Sequence, residues 1–130
     1  MCTALIRRLL VSLFVFIAPA AVCAGDVAKL PVYLFYSTTC PHCTKAHAFL
    51  DNLAAREPRV DLRALELSAD PRHEKVFEAL SRKHAVDPPA IPIIAVGEAL
   101  FVGYGDDQSR GAEIETQVRA CLITACPDPT

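Results

Sequence analysis

The sequence predicts an α/β domain: a central mixed sheet with helices on both faces, its elements running β-α-β-α-β-β-α. Three observations lead to this expectation. Apolar runs of strand length recur at residues 31–36, 60–67 and 91–96, with a shorter one at 100–102. Three other stretches space their apolar residues by three and four, the period of an amphipathic helix. Two of these open with proline near a capping residue, at Pro41 and at Asp70-Pro71. Strands that alternate with helices pair in parallel through right-handed crossovers, and this puts helices on both sides of the sheet.

Residues 31–36, Pro-Val-Tyr-Leu-Phe-Tyr, are apolar nearly throughout, as suits a strand covered on both faces. Ser37-Thr38-Thr39 breaks the run and offers caps for a helix beginning at Cys40, with Pro41 in its first turn. Ala46, Phe49, Leu50 and Leu53 form its apolar stripe, and Glu57-Pro58 ends it. Residues 60–67 predict a second strand, and Asp70-Pro71 starts a second helix carrying Val76, Phe77, Leu80 and His84. Pro88-Pro89 stiffens the following loop. Residues 91–96 predict a strand with Pro92 near its beginning, joined through a Gly97-Glu98 turn to an antiparallel partner at 100–102. Ile114, Val118 and Leu122, four apart, predict a closing helix over 112–122. Tyr33, Phe35, Phe49 and Phe77 belong to the core on this reading.

Residues 1–24 read as a secretory signal. Arg7 and Arg8 form a positive start, residues 9–17 an apolar stretch, and Val22-Cys23-Ala24 a cleavage approach. The apolar segment is short for a membrane span, which needs about 20 residues, so membrane attachment is expected only if the segment is not cleaved. Its removal from the 130 residues leaves 106 (residues 25–130), enough for one domain with a modest core. The formal charge moves from -2 to about -4 as Arg7 and Arg8 are lost. No basic cluster then remains to neutralise phosphates, which argues against nucleic acid as a partner. Of the six cysteines, Cys40, Cys43, Cys121 and Cys126 stay. An even number behind an export signal points to an oxidising compartment, the periplasm or outside the cell.

Cys40-Pro41-His42-Cys43 follows the first strand directly and opens the first helix. Two intervening residues let the sulfurs meet across one helical turn, so a disulfide there can form and break repeatedly. Unpaired N–H groups and the positive end of the helix dipole stabilise a thiolate, the reactive form of cysteine. Cys40, nearest the terminus, is the expected nucleophile; Cys43, one turn deeper, is the expected resolving thiol. A protonated His42 would favour the thiolate further and make the oxidised pair a stronger oxidant. A zinc site is the competing reading of such a pair, but Cys121-x4-Cys126 is spaced too widely to complete a usual one, and neither metal nor cofactor is expected. Residues 31–36 contain no Asp, Glu or Lys to act as a buried proton relay beneath Cys43. Pro92 belongs beside this site if the Ile91–Pro92 bond is cis, with the Ile91 backbone pairing with an extended substrate peptide. Tyr36 and Tyr104 are candidates to face substrate, each with a structural reading beside it. For Cys121 and Cys126 the leading expectation is a structural disulfide fastening the C-terminal tail; the alternative is a second redox pair that relays electrons to Cys40-Cys43.

With these residues placed, the chain resembles the thioredoxin superfamily over most of residues 30–124, and within it small exported thioredoxin-like or glutaredoxin-like proteins. The likeness rests on Val32-Tyr33-Leu34-Phe35-Tyr36, Cys40-Pro41-His42-Cys43, Ile91-Pro92-Ile93 and Val102-Gly103-Tyr104, ending at Ile114-Glu115 ahead of Cys121 and Cys126. It implies a thioredoxin-like fold, a cis Pro92 adjoining the active disulfide, and a glycine near Gly103 after the hairpin. The Pro-His dipeptide is similar to that of strongly oxidising periplasmic disulfide-forming enzymes, whose large helical insertion has no room here. The expected function is a thiol-disulfide oxidoreductase acting on protein thiols or disulfides and reset by a redox partner. A dedicated electron-transfer module for a membrane partner and a non-catalytic binding or assembly protein are the alternatives. Glutathione dependence has little support, since no Lys or Arg lies in the turn between the first strand and the first helix.

Overall fold

The computed structural model describes residues 28–130; the expected signal segment, residues 1–24, lies outside them. The elements are β1 (Leu30–Tyr36), α1 (Pro41–Arg56), β2 (Val60–Glu66), α2 (Pro71–Lys83), β3 (Ile93–Val96), β4 (Ala99–Val102) and α3 (Ala112–Thr124), with one wide π-type turn (Asp107–Gly111) leading into α3. The sheet order is β2-β1-β3-β4. β1 is parallel to β2 and antiparallel to β3, and β3 and β4 form a hairpin. Among the described residues no helix is long and apolar enough to cross a membrane.

The alternation of side chains along a strand explains why the central strands are apolar throughout. Leu30, Val32 and Leu34 of β1, with Ile94 and Val96 of β3, face a core built with α1 (Ala46, Phe49, Leu50, Leu53) and α3 (Ile114, Val118, Cys121). Tyr33 and Phe35, with Ile93 and Ala95, face the other way onto Phe77 and Leu80 of α2. Phe35 packs on Phe77 with ring centres 5.9 Å apart. Burying each such large side chain contributes roughly 1.5–3 kcal/mol of transfer free energy. Two helices therefore cover one face and one covers the other.

Four local details differ from the sequence expectation. The cap of α1 is Cys40 itself, with extended backbone, rather than one of the hydroxyl residues at 37–39. β3 begins at Ile93, because Pro92 has no N–H to give to a ladder; its carbonyl instead accepts from the Gly103 N–H at 2.8 Å. The buried column of α3 runs Ile114, Val118, Cys121, leaving Leu122 half-buried, since a seventh residue keeps the face better than an eighth at 3.6 residues per turn. His84 forms the C-cap of α2 instead of extending its stripe.

At the β3–β4 turn, Gly97 has φ +57, and a Cβ there would lie 2.7 Å from the Cys126 Cβ. Cys121 and Cys126 are joined in a disulfide. Ala125, in the left-handed conformation, turns the chain back after Thr124, and its N–H bonds the Cys121 carbonyl. The tail then reaches β1: the Asp128 carboxylate accepts from the Tyr33 hydroxyl and from the Arg63 guanidinium, each at 3.3 Å, and Pro129 is buried. The disulfide joins the last turn of α3 to the tail, and the reversal comes after Thr124 and not after Leu122 or Ile123.

Gly97→Ala combines an unfavourable φ with a clash against the Cys121–Cys126 bridge and should destabilise the protein by about 1–3 kcal/mol, whereas Gly105→Ala, with open space around it, should change little; urea unfolding of both variants checks this. Asp70, the cap of α2, is held at about 2 against an ordinary 3.8 by the Arg72 side chain and then by the Arg72 backbone N–H. A lowered folded-state value stabilises above the unfolded-state pKa, and the contribution disappears as pH falls toward 2. Asp70→Asn keeps a capping oxygen without the charge. Its stability deficit should be present at pH 5 and should close between about pH 4 and 2 in denaturant titrations.

Candidate active site

β1 ends at Tyr36, and a tight turn delivers the chain to α1, with the Cys40 N–H bonding the Ser37 carbonyl at 3.2 Å. At the N-cap, Cys40 has φ -96 and ψ 112, while its carbonyl already accepts the first helical bond from the Thr44 N–H. Its Sγ accepts from the Cys43 N–H at 3.2 Å, the role a serine or aspartate oxygen has at other helix starts. Pro41 follows, where a missing N–H costs nothing. The docking of Ala46, Phe49 and Leu50 onto the sheet drives Cys43 inward, so that it is 0% exposed, while Cys40 stays half-exposed. The two are disulfide-bonded with Cα atoms 5.2 Å apart.

His42 is exposed, and its Nδ1 lies 2.9 Å from the Tyr104 carbonyl. A carbonyl only accepts, so Nδ1 carries the proton. For Tyr104 the ring follows the structural one of its two readings. Its ring is buried (3% exposed), packs on Phe49, and gives its hydroxyl proton to Asp107 Oδ1 at 2.6 Å. Burial first, and then the neighbouring Asp107 and Asp106 carboxylates, push the phenol well above its ordinary range. What Tyr104 presents to the site is its backbone. Tyr36 is half-buried with its ring 5.0 Å from that of His47.

The Ile91–Pro92 bond is cis, as is Asp87–Pro88. Ile91 and Pro92 share an open groove of about 440 Å³ with His42, Val102, Arg110 and Glu113, beside the cysteine pair. His42, Ile91 and Pro92 thus line one groove with Tyr104, which His42 reaches from the turn of α1 that carries Cys40 and Cys43. Sequence reasoning passed over Arg110, Glu113 and Asp107; the available signal was the polar run after Gly103-Tyr104-Gly105 leading into a helix. Ser81, on α2, is the only buried polar or charged side chain among the described residues, so no buried acid lies beneath Cys43.

Antiparallel register pairs Phe35 with Ile93 and Val32 with Val96. Tyr36 and Pro92 therefore share one end of the sheet, while Gly97 and the Cys121–Cys126 bond lie at the other. The seven residues of β1 put about 20 Å between those ends. Among the described residues no group of three or more His, Cys, Asp or Glu is placed to hold a metal ion.

No protein-family model and no curated protein matches the chain. Solved structures do. Wheat glutaredoxin is 20% identical, covering 78% of this chain and 85% of its own, with a TM-score of 0.50. A chain from the structure of the thiol-resolving mechanism of yeast mitochondrial 1-Cys peroxiredoxin is 17% identical, covering 72% and 82%, also at 0.50. Oxidised mitochondrial thioredoxin 3 from Saccharomyces cerevisiae is 18% identical, covering 72% and 82%, at 0.48. The two matches at 0.50 establish the fold alone. Sheet order and helix placement are those of the thioredoxin-like fold, with Cys40 and Cys43 at the junction of β1 and α1.

Proposed function

We propose that this chain is a thiol-disulfide oxidoreductase that exchanges disulfides with protein thiols through Cys40. The observation that carries the reading is the Cys40 sulfur itself. It is half-exposed at the start of a sixteen-residue helix and accepts the Cys43 N–H. Once the pair is reduced, a negative charge on that sulfur turns the same bond into a charge-assisted one and meets the positive end of the helix dipole. Cys43, fully enclosed, is disfavoured as an anion and stays protonated while Cys40 reacts.

In the reductive direction the Cys40 thiolate attacks one sulfur of a substrate disulfide. A mixed disulfide forms, and the displaced substrate thiolate takes up a proton. Cys43 then loses its proton to water and attacks the Cys40 sulfur. The Cys40–Cys43 bond forms, the second substrate thiolate leaves, and two electrons have passed from the pair to the substrate. Oxidation of a substrate dithiol runs the same steps backward. Direction is set by the potential of the pair and by the partner that resets it. The substrate segment lies in the groove over Pro92, where the Ile91 main chain is available to pair with it.

A periplasmic or extracellular setting is part of the proposal, supported by the signal-like residues 1–24 and by four cysteines suited to an oxidising compartment. The relay reading has no observation in its favour, because the two cysteine pairs sit at opposite ends of the sheet. A non-catalytic binding role leaves the asymmetric burial of Cys40 and Cys43 without a purpose.

Insulin reduction and oxidative refolding of a reduced protein test the proposal. Cys40→Ser should lose turnover in both assays, and Cys43→Ser should accumulate a mixed disulfide with substrate visible by mass. The double variant Cys121→Ser/Cys126→Ser should keep turnover within about twofold while losing about 2 kcal/mol of stability. Turnover that survives Cys40→Ser would overturn the assignment, and loss of turnover in the folded Cys121/Cys126 double variant would revive the relay.

A further inference from the structure

Asp107 belongs to none of the roles described so far, and Tyr104 enters the site only through its carbonyl. Both side chains are nevertheless held in a specific way. The Tyr104 ring is clamped by Phe49 of α1, with ring centres 5.7 Å apart, and its hydroxyl is fastened to Asp107 at 2.6 Å. The wide turn at Asp107–Gly111, closed by the Gly111 N–H on the Asp106 carbonyl, carries Asp107 beside that hydroxyl. Gly111 leaves the necessary room: a Cβ there would lie 2.9 Å from Phe49 and 3.0 Å from the Tyr104 hydroxyl oxygen. The raised phenol titration keeps this donor protonated through neutral pH.

We propose that Tyr104 and Asp107 are positioning residues for His42: the buried ring and its bond to Asp107 hold the Tyr104 carbonyl where it accepts from His42 Nδ1, fixing the orientation of the imidazole in the first turn of α1. The inference rests on the function proposed above and extends it to the regulation of the same site. A carbonyl at Nδ1 selects the tautomer with its proton on Nδ1 and fixes the orientation of the ring. An imidazolium in the first turn of α1 favours the Cys40 thiolate over the disulfide. Among the charged groups nearby, Arg110 and Glu113, which share its groove, form an ion pair at 2.5 Å, and Asp107 is bonded to the Tyr104 hydroxyl. The hydrogen bond to Tyr104 is what sets the orientation.

The experiment is the redox equilibrium of Cys40–Cys43 with glutathione, with His42 ring nitrogen shifts read by NMR at a pH where the ring is neutral. Tyr104→Phe keeps the packed ring and removes the anchor without changing any charge; Asp107→Ala removes the same anchor from the exposed side. Each should move the equilibrium toward the disulfide by about three- to tenfold, or ~15–30 mV for two electrons. Each should also convert a single Nδ1–H tautomer into a mixture. In a His42→Ala background, Tyr104→Phe should leave the equilibrium unchanged, since it acts through the imidazole. A shift of equal size in that background, or unchanged tautomer signals in folded Tyr104→Phe and Asp107→Ala, overturns the inference. A wild-type protein that exchanges no disulfides with protein thiols overturns instead the function on which it rests.

Discussion

Cys40 at the N-cap of α1 is the constraint around which the rest is arranged. A helix start leaves N–H groups without partners, and ordinary sequences fill them with a side-chain oxygen. Here a sulfur takes that place, accepting from the Cys43 N–H. The bond requires Cys40 to be extended, Pro41 to start the helix, and β1 to stop early enough for the turn at 37–39. It also requires α1 to be held in one orientation, which Ala46, Phe49, Leu50 and Leu53 achieve by packing on the sheet. The same packing decides which sulfur is enclosed and which is open. The division of labour between the cysteines is thus a consequence of how one helix docks.

The second disulfide lies at the far end of the sheet. Cys121 is buried beneath Gly97, and beyond Cys126 the tail crosses to Tyr33 and Arg63. Cys40–Cys43 lies where β1 leaves the sheet and β3 enters it, with nothing of the tail beside it. On the proposed function the two cysteine pairs have opposite requirements, Cys40–Cys43 opening in every cycle and Cys121–Cys126 staying closed.

Much of the fold was legible in the sequence because the central strands are buried on both faces. Residues 31–36 and 91–96 are continuous apolar runs for that reason, and Asp70-Pro71 announces α2 through local capping chemistry alone. The redox pair was legible because its spacing and its place after a strand are both local. What escaped depended on distant partners. Tyr104 sits in a glycine-rich, polar loop, and only Phe49 of α1 and the wide turn before α3 make it a core residue. Cys40 was read as the first helical residue rather than the cap, since three hydroxyl residues precede it and nothing local ranks them. The docking of Asp128 on Tyr33 spans 95 residues, beyond any spacing rule.

The direct test is titration of the Cys40 thiolate in the reduced protein, followed by its absorbance or by its alkylation rate across pH. A sulfur stabilised by the helix start, by the Cys43 N–H and by His42 should ionise below neutrality, in the range of about 3.5–7 found at comparable thiol sites. An ordinary value near 8.5 would contradict the account.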